Sequence, residues 1–318
     1  MFVKNYYLVK MLKPEIKIEP EFEPNDVITS PVGNKYTIQR HLGGGAFGDV
    51  YLVTSPAYPQ PIALKTINLD EYPESFFITE MMAYTYLSIS PDCNQNIVCL
   101  LDVFEIDVLD EDSQQMIPFG ILVIDLQTGD LEHNQVADEN IPDLILALLT
   151  GLSAIHGAGL AHRDIKPDNI LFRDKIYKYG DLGEVCTHRS KDLEVEIETP
   201  SGPKKIFRGN DEIRFSLIPT CDEVLSDSAD FPGTNPEAED IYYEQAKSND
   251  IAALGYTLYN VIYGKPYISK TKLGPYPRKE PDQLSGPAIV ELINRMISGS
   301  TDVNQLLKFY QSNLRVTA

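Results

Sequence analysis

His162-Arg163-Asp164-Ile165-Lys166-Pro167-Asp168-Asn169 decides how this chain is read. Within eight residues it sets a carboxylate that can accept a proton, an ammonium that can neutralise a phosphate and an amide oxygen that can bind a hard cation. Moving a phosphoryl group onto a hydroxyl requires those three groups within a few ångströms of one another. A single rigid loop achieves that convergence at little entropic cost.

The run resembles the catalytic loop HRDxKPxN of eukaryotic-type protein kinases in its serine/threonine form; tyrosine kinases usually place Ala or Arg where this chain has Lys166. The resemblance implies ATP as phosphate donor, with Mg²⁺, or Mn²⁺ in its place, as the metal. It implies Asp164 as the base, Lys166 on the γ-phosphate and Asn169 as a metal ligand. His162 is expected to be a packing residue. Arg163 is expected to be free for a phosphate added to Thr187, Ser190, Ser216, Ser226 or Ser228.

Upstream, Gly43-Gly44-Gly45-Ala46-Phe47-Gly48-Asp49-Val50 fits GxGxxGxV between two predicted strands, so it reads as a hairpin flap rather than a strand-to-helix turn. Gly43, Gly45 and Gly48 would let backbone amides approach phosphate. Lys65 in Ile62-Ala63-Leu64-Lys65 resembles the VAIK lysine, and Glu80, fifteen positions on within a helical stretch, is its expected partner. Ile121-Leu122-Val123-Ile124-Asp125-Leu126-Gln127 resembles the hinge. Backbone groups of Asp125, Leu126 and Gln127 would bind adenine whatever their side chains, and Leu42, Val50, Ala63 and Leu171 would sandwich the ring. Asp181-Leu182-Gly183 stands where the family has DFG, with Asp181 as the second metal ligand. Asp250 resembles the helix aspartate that holds the catalytic-loop backbone, and His156 reads as a buried, satisfied histidine.

Composition sets outer bounds. The 318 residues exceed one average domain and suit one bilobed unit. No run approaches the length of apolar sequence that a membrane span needs. A net charge of -20 disfavours nucleic acid and anionic membrane as partners and weakly favours basic protein substrates. The stretch Phe2–Lys10 is interrupted by lysines and lacks a small-residue cleavage site, so a signal peptide is not expected. Cys93, Cys99, Cys186 and Cys221 show no paired metal spacing. A chain of this size needs no disulfide framework, so a reducing, intracellular and cytoplasmic compartment is expected, with a nuclear or viral/host-cell location left open.

Along the chain, residues 1–35, rich in Pro and charge, read as an extension or tether that could dock a partner. Residues 36–127 alternate short β-rich runs with one helix, and residues 128–318 are mainly helical. The resemblance thus implies an α+β, bilobed kinase-like fold, with a β-rich N-lobe carrying one key helix and a larger α-helical C-lobe. The activation segment, 181–237, is unusually long. Its run from Leu193 to Arg208 alternates as a β-hairpin with an acidic strand facing a basic one, a candidate device for substrate access. Gly233-Thr234-Asn235-Pro236-Glu237 compresses the family's threonine and APE elements, and Ala252 stands where Trp is usual. These departures touch substrate docking. All the phosphate-handling positions are filled, which favours an active enzyme over a pseudokinase scaffold. Lys166-Pro167 and the long segment favour protein over small-molecule substrates.

Overall fold

Short runs of Val, Ile, Leu, Tyr and Thr bounded by Gly, Pro and Asn form strands because branched and aromatic side chains pack best on a pleated surface. The computed structural model describes residues 22–45, 48–72, 74–89, 91–109, 114–188, 194–200, 202–207, 218–221, 224, 236–264, 287–298 and 302–314. Among these, β1 (Val27–Thr29), β2 (Lys35–Gly45), β3 (Gly48–Thr54), β4 (Ile62–Asn68), β5 (Leu100–Leu109) and β6 (Met116–Ile124) belong to one sheet. Helix α1 (Glu74–Leu87) joins β4 to β5, as the resemblance implies.

Two elements lengthen that sheet beyond expectation. At one end β1 pairs with β2, Ile28 opposite Tyr36, and Phe22 is buried against the rings of Tyr51 and Phe119. Residues 22–35, expected as the end of a tether, are therefore part of the lobe, because their few apolar side chains find a vacant face of the sheet. Residues 1–21 lie outside the described residues. At the other end β12 (Glu194–Thr199) and β13 (Gly202–Phe207) form the expected hairpin, with Glu196 opposite Lys205 and Ile197 opposite Lys204. That hairpin does not stand alone. Its first strand lies parallel to β5, Glu198 opposite Phe104, giving the order β1-β2-β3-β4-β6-β5-β12-β13.

One face of this sheet closes over Tyr36, Ile38, Tyr51, Val53, Phe104 and Phe119. Fully burying a side chain such as Ile38, Val53 or Phe104 stabilises by about 1.5–3 kcal/mol. The other face packs on α1, whose Phe77, Met81 and Tyr84 open onto the main core.

That core continues into the helical lobe, which confirms a bilobed α+β architecture. Helix α2 (Ile141–Gly157) carries Pro142 in its first turn, where it is tolerated, and buries Ile141, Leu144, Ile145, Leu148, Leu149, Leu152 and Ile155, spaced by threes and fours. By length and composition the segment Asp138–Gly157 could cross a membrane. Its apolar face is instead the centre of this lobe. Next come β7 (Gly129–Asp130), β8 (Leu160–Ala161), β9 (Ile170–Arg173), β10 (Ile176–Tyr179) and β11 (Cys186–Thr187), in two small sheets ordered β10-β9-β7 and β11-β8. Asp174 and Lys175, both at positive φ, make the tight β9–β10 turn. Helix α3 (Pro236–Tyr263) runs 28 residues, where the sequence suggests a separate Pro236-Glu237 element and a helix near 250–259. No Gly or Pro interrupts it before Gly255, so the helix begun at Pro236 continues. Helices α4 (Pro287–Ile297) and α5 (Val303–Asn313) complete the lobe.

The cysteines correct another expectation. Cys93 pairs with Cys99 and Cys186 with Cys221. The second pair is separated by 35 positions, yet its Cα atoms are 5.0 Å apart. Tertiary pairing, β11 on β8 and Thr187 beside Thr220, brings them together, which sequence spacing could not reveal.

Candidate active site

The glycine run is the β2–β3 hairpin, with Gly43 opposite Val50, Gly44 opposite Asp49 and Gly45 opposite Gly48; Ala46 and Phe47 lie outside the described residues. Gly48 has φ +148°, and a Cβ there would come within 1.8 Å of the Thr66 carbonyl oxygen. Only glycine fits this crossing of flap and β4. The register sets Val50 opposite Lys65 and Ala63 opposite Ile124, so these expected base-contact positions are neighbours. Ala63 is buried and Val50 half-buried, whereas Leu42 is exposed on β2. Leu171 lies on β9 opposite Lys178 and would touch a Cβ at Gly180.

Lys65 on β4 reaches Glu80 Oε2 of α1 at 2.6 Å and Asp181 Oδ1 at 3.3 Å. Strand and helix are joined through buried groups, Glu80 being 3% exposed. Burial works against a charged Lys65, but Glu80 and Asp181 outweigh it and hold its proton on. Burial pushes Glu80 up while Lys65 pulls it down. Lys65, acting against burial, holds the Asp181 carboxyl below the ordinary carboxylate range. Tyr84, one helical turn past Glu80, accepts the Asp181 N–H at 3.1 Å. Sequence reasoning missed Tyr84, although its spacing from Glu80 places both on one helix face. Leu182 is fully buried in the core, so it anchors the segment that carries Asp181.

The catalytic loop is built from the inside out. His162 is fully buried; its Nδ1 accepts from the Asp164 N–H, which leaves Nε2–H to donate to the Gly180 carbonyl. Asp250 of α3, 1% exposed, accepts the main-chain N–H groups of His162 and Arg163, each at 2.7 Å, and His156 Nε2 at 3.0 Å. Arg163 itself sits at φ +68° and Asp181 at φ +52°, conformations that persist only when the surroundings dictate them. Lys166 Nζ lies 2.8 Å from Asp164 Oδ2, and Asn169 Nδ2 donates to the same oxygen at 2.9 Å and to the Asp164 carbonyl. Burial lowers and Asp164 raises the Lys166 ammonium, with a net upward result.

Arg163 is not free. Its Nη1 donates to the Glu184 carbonyl at 2.8 Å, with the Glu184 carboxylate 3.8 Å away. Thr187 is buried and its hydroxyl donates to the Gly159 carbonyl, so it is not an open acceptor for phosphate. Ser190, Ser216, Ser226, Ser228 and Thr234 lie outside the described residues.

The hinge differs from expectation in that side-chain identity counts. Asp125 Oδ1 accepts the Cys99 N–H at 2.6 Å, and Oδ2 takes Lys178 Nζ and Gln127 Nε2, each at 2.7 Å. The Asp125 N–H is also committed, to the Cys99 carbonyl. Lys178 lies three residues before Asp181, so the clamp ties the hinge to the metal-site strand. Leu126 is half-buried beside it.

Asn169 and Asp181 suit a hard cation. The Asn169 amide nitrogen is spent on Asp164, which turns its oxygen into the available ligand atom, and Asp181 is held ionised by Lys65. One or two protein oxygens completed by phosphates and water are the usual Mg²⁺ set. Among the described residues no group of three His, Cys, Asp or Glu could hold a metal.

A family profile described as the protein kinase domain matches residues 36–201, just over half the chain. The chain is 33% identical over 156 residues to cyclin-dependent kinase 12 of Caenorhabditis elegans, covering 46% of this chain and 21% of that protein. It is 31% identical over 158 residues to the mitogen-activated protein kinase HOG2 of Zygosaccharomyces rouxii, covering 47% and 35%. A longer match, 26% over 275 residues, joins it to sporulation-specific protein 1 of Saccharomyces cerevisiae, covering 81% of this chain and 47% of that one. The chain thus spans from a fifth to about half of these relatives' lengths. With the glycine hairpin, the Lys65–Glu80 pair and the Asp250-anchored loop in one arrangement, the chain belongs to the protein kinase family.

Proposed function

We propose that this chain is an ATP- and Mg²⁺-dependent serine/threonine kinase that phosphorylates proteins, basic ones preferentially. The observation that carries this reading is the closed set of contacts from Glu80 to Lys65 to Asp181, assembled beside Asp164, Lys166 and Asn169. Lys65 would hold the α- and β-phosphates, because Glu80 fixes its ammonium in place. Asp164, oriented by Lys166 and Asn169, would accept the proton of the substrate hydroxyl. Lys166 would then stand against the transferring phosphoryl group. Asn169 and Asp181 would hold Mg²⁺, which when bound neutralises charge spread over the phosphates.

Protein docking through residues 1–35 or through the β12–β13 hairpin, and an intracellular location, belong to the same proposal. Incubating the wild type and Asp164→Ala with radiolabelled ATP, Mg²⁺ and histone or myelin basic protein tests it. Label transferred by the wild type and lost in the variant is expected, with phosphoserine or phosphothreonine as product. No transfer together with thermal stabilisation by ATP would instead mark a nucleotide-binding scaffold. Transfer to metabolites but not to proteins would mark a small-molecule kinase.

A further inference from the structure

We propose that Cys186 and Cys221 form a redox modification site that staples the activation segment in its working position. The pair lies in a buried cluster with Ala161, Tyr243 and Ala246, between the strand that enters the catalytic loop and helix α3. Cys186 opens β11, five residues after Asp181, and β11 pairs with β8 immediately before His162. On the far side, Thr187 N–H donates to the Pro219 carbonyl and His188 N–H to the Gly159 carbonyl. The bond therefore closes the base of a loop whose middle carries the hairpin docked on β5.

Such a bond is conditional. In a reducing compartment disulfides are transient and redox-sensing rather than structural. Both sulfurs are buried here, Cys186 at 0% and Cys221 at 1%, so a reductant reaches them only when the segment opens locally. The redox state and the placement of the segment are then linked, each stabilising the other.

The chemistry balances with hydrogen peroxide as oxidant. Each thiol first gives up its proton. One thiolate sulfur attacks a peroxide oxygen, breaking the O–O bond to give a sulfenic acid and hydroxide, which takes up one of those protons as water. The second thiolate attacks the sulfenic sulfur and expels hydroxide, which takes up the other proton as the second water while the S–S bond forms. A dithiol reductant reverses the change by two exchange steps, ending as its own disulfide.

The effect on catalysis rests on the kinase reading; the structural effect does not. With the full chain, dithiothreitol should reduce the pair, scored by mass after alkylation. The amides of Thr187 and His188 should then exchange faster with deuterium, and protein phosphorylation should fall about tenfold, the scale of a modest misplacement at a phosphoryl-transfer site. Peroxide should restore both. Cys221→Ser should stay at the reduced rate under either condition, and Cys93→Ala should keep the full response. Unchanged exchange in a fully reduced wild type, a folded protein whose thiols never pair under peroxide, or loss of the response in Cys93→Ala overturns the proposal. If exchange responds while no phosphorylation occurs in either state, the kinase reading fails and the staple stands. If phosphorylation is robust and indifferent to reduction, the staple fails and the kinase reading stands.

Discussion

The hydroxyl of Tyr84 accepts the main-chain N–H of Asp181 at 3.1 Å, while Glu80, on the same face of α1, holds the lysine that pairs with the Asp181 carboxylate. One helix face thus positions both the backbone and the charge of the expected metal ligand. Tyr84→Phe keeps the ring packed and leaves that N–H unsatisfied, at a cost of about 1–3 kcal/mol. Steady-state kinetics should show kcat down by about tenfold or more, with the fold retained in thermal unfolding.

The charges around Lys65 define a pH window. Lys65 is raised above its ordinary 10.5, so its contribution is fully present below that value and fades only as pH rises through the higher folded value. Asp181 is depressed below 3.8, so its contribution is present above that value and fades only as pH falls through the lower folded value. Between these limits Mg²⁺-nucleotide affinity should owe no pH dependence to either group. Lys65→Met removes the charge that holds Asp181 down. Calorimetric titrations of this variant with Mg²⁺-ADP should show affinity falling at a higher pH than in the wild type.

Asp250, buried within α3, serves three donors. Asp250→Ala strands two loop amides, and unfolding by urea should reveal a loss of about 3–5 kcal/mol. Asp250→Asn retains one acceptor oxygen and should lose less. Equal losses for the two variants would show that the single oxygen kept by Asn contributes nothing without its partner.

The β12–β5 contact is a backbone pairing, so removing a donor should undo it. Glu198→Pro acts at the β12 residue paired with β5, deleting its N–H and fixing φ. Hydrogen exchange should then speed up at β5 amides near Phe104, while those of β3 and β4 stay protected. Unaltered β5 protection would mean that this strand does not depend on the hairpin.

Local chemistry was legible in the sequence. The loop from His162 to Asn169, the glycine hairpin, and the Lys65–Glu80 partnership each follow from short spacings and side-chain type. The β12–β13 hairpin was legible too, from its alternation, but its docking was not, because an edge-to-edge parallel pairing leaves no turn signal between the partners. The Cys186–Cys221 pair, the burial of Phe22 and the Asp125–Lys178 clamp are contacts between residues far apart in the chain. The occupation of Arg163 was hidden for a different reason. Glu184 takes it mainly through a backbone carbonyl, which every residue type possesses.

The docked hairpin also changes when the first lobe can be finished. Strand β5 waits for a partner encoded some ninety residues downstream. At synthesis rates of about 5–20 residues per second, that edge stands unpaired on the ribosome for roughly 5–20 s. An unpaired edge is a template for wrong partners. The nascent lobe is therefore most vulnerable to aggregation after its own five central strands have been made, and the helical half of the chain must be under way before that vulnerability ends.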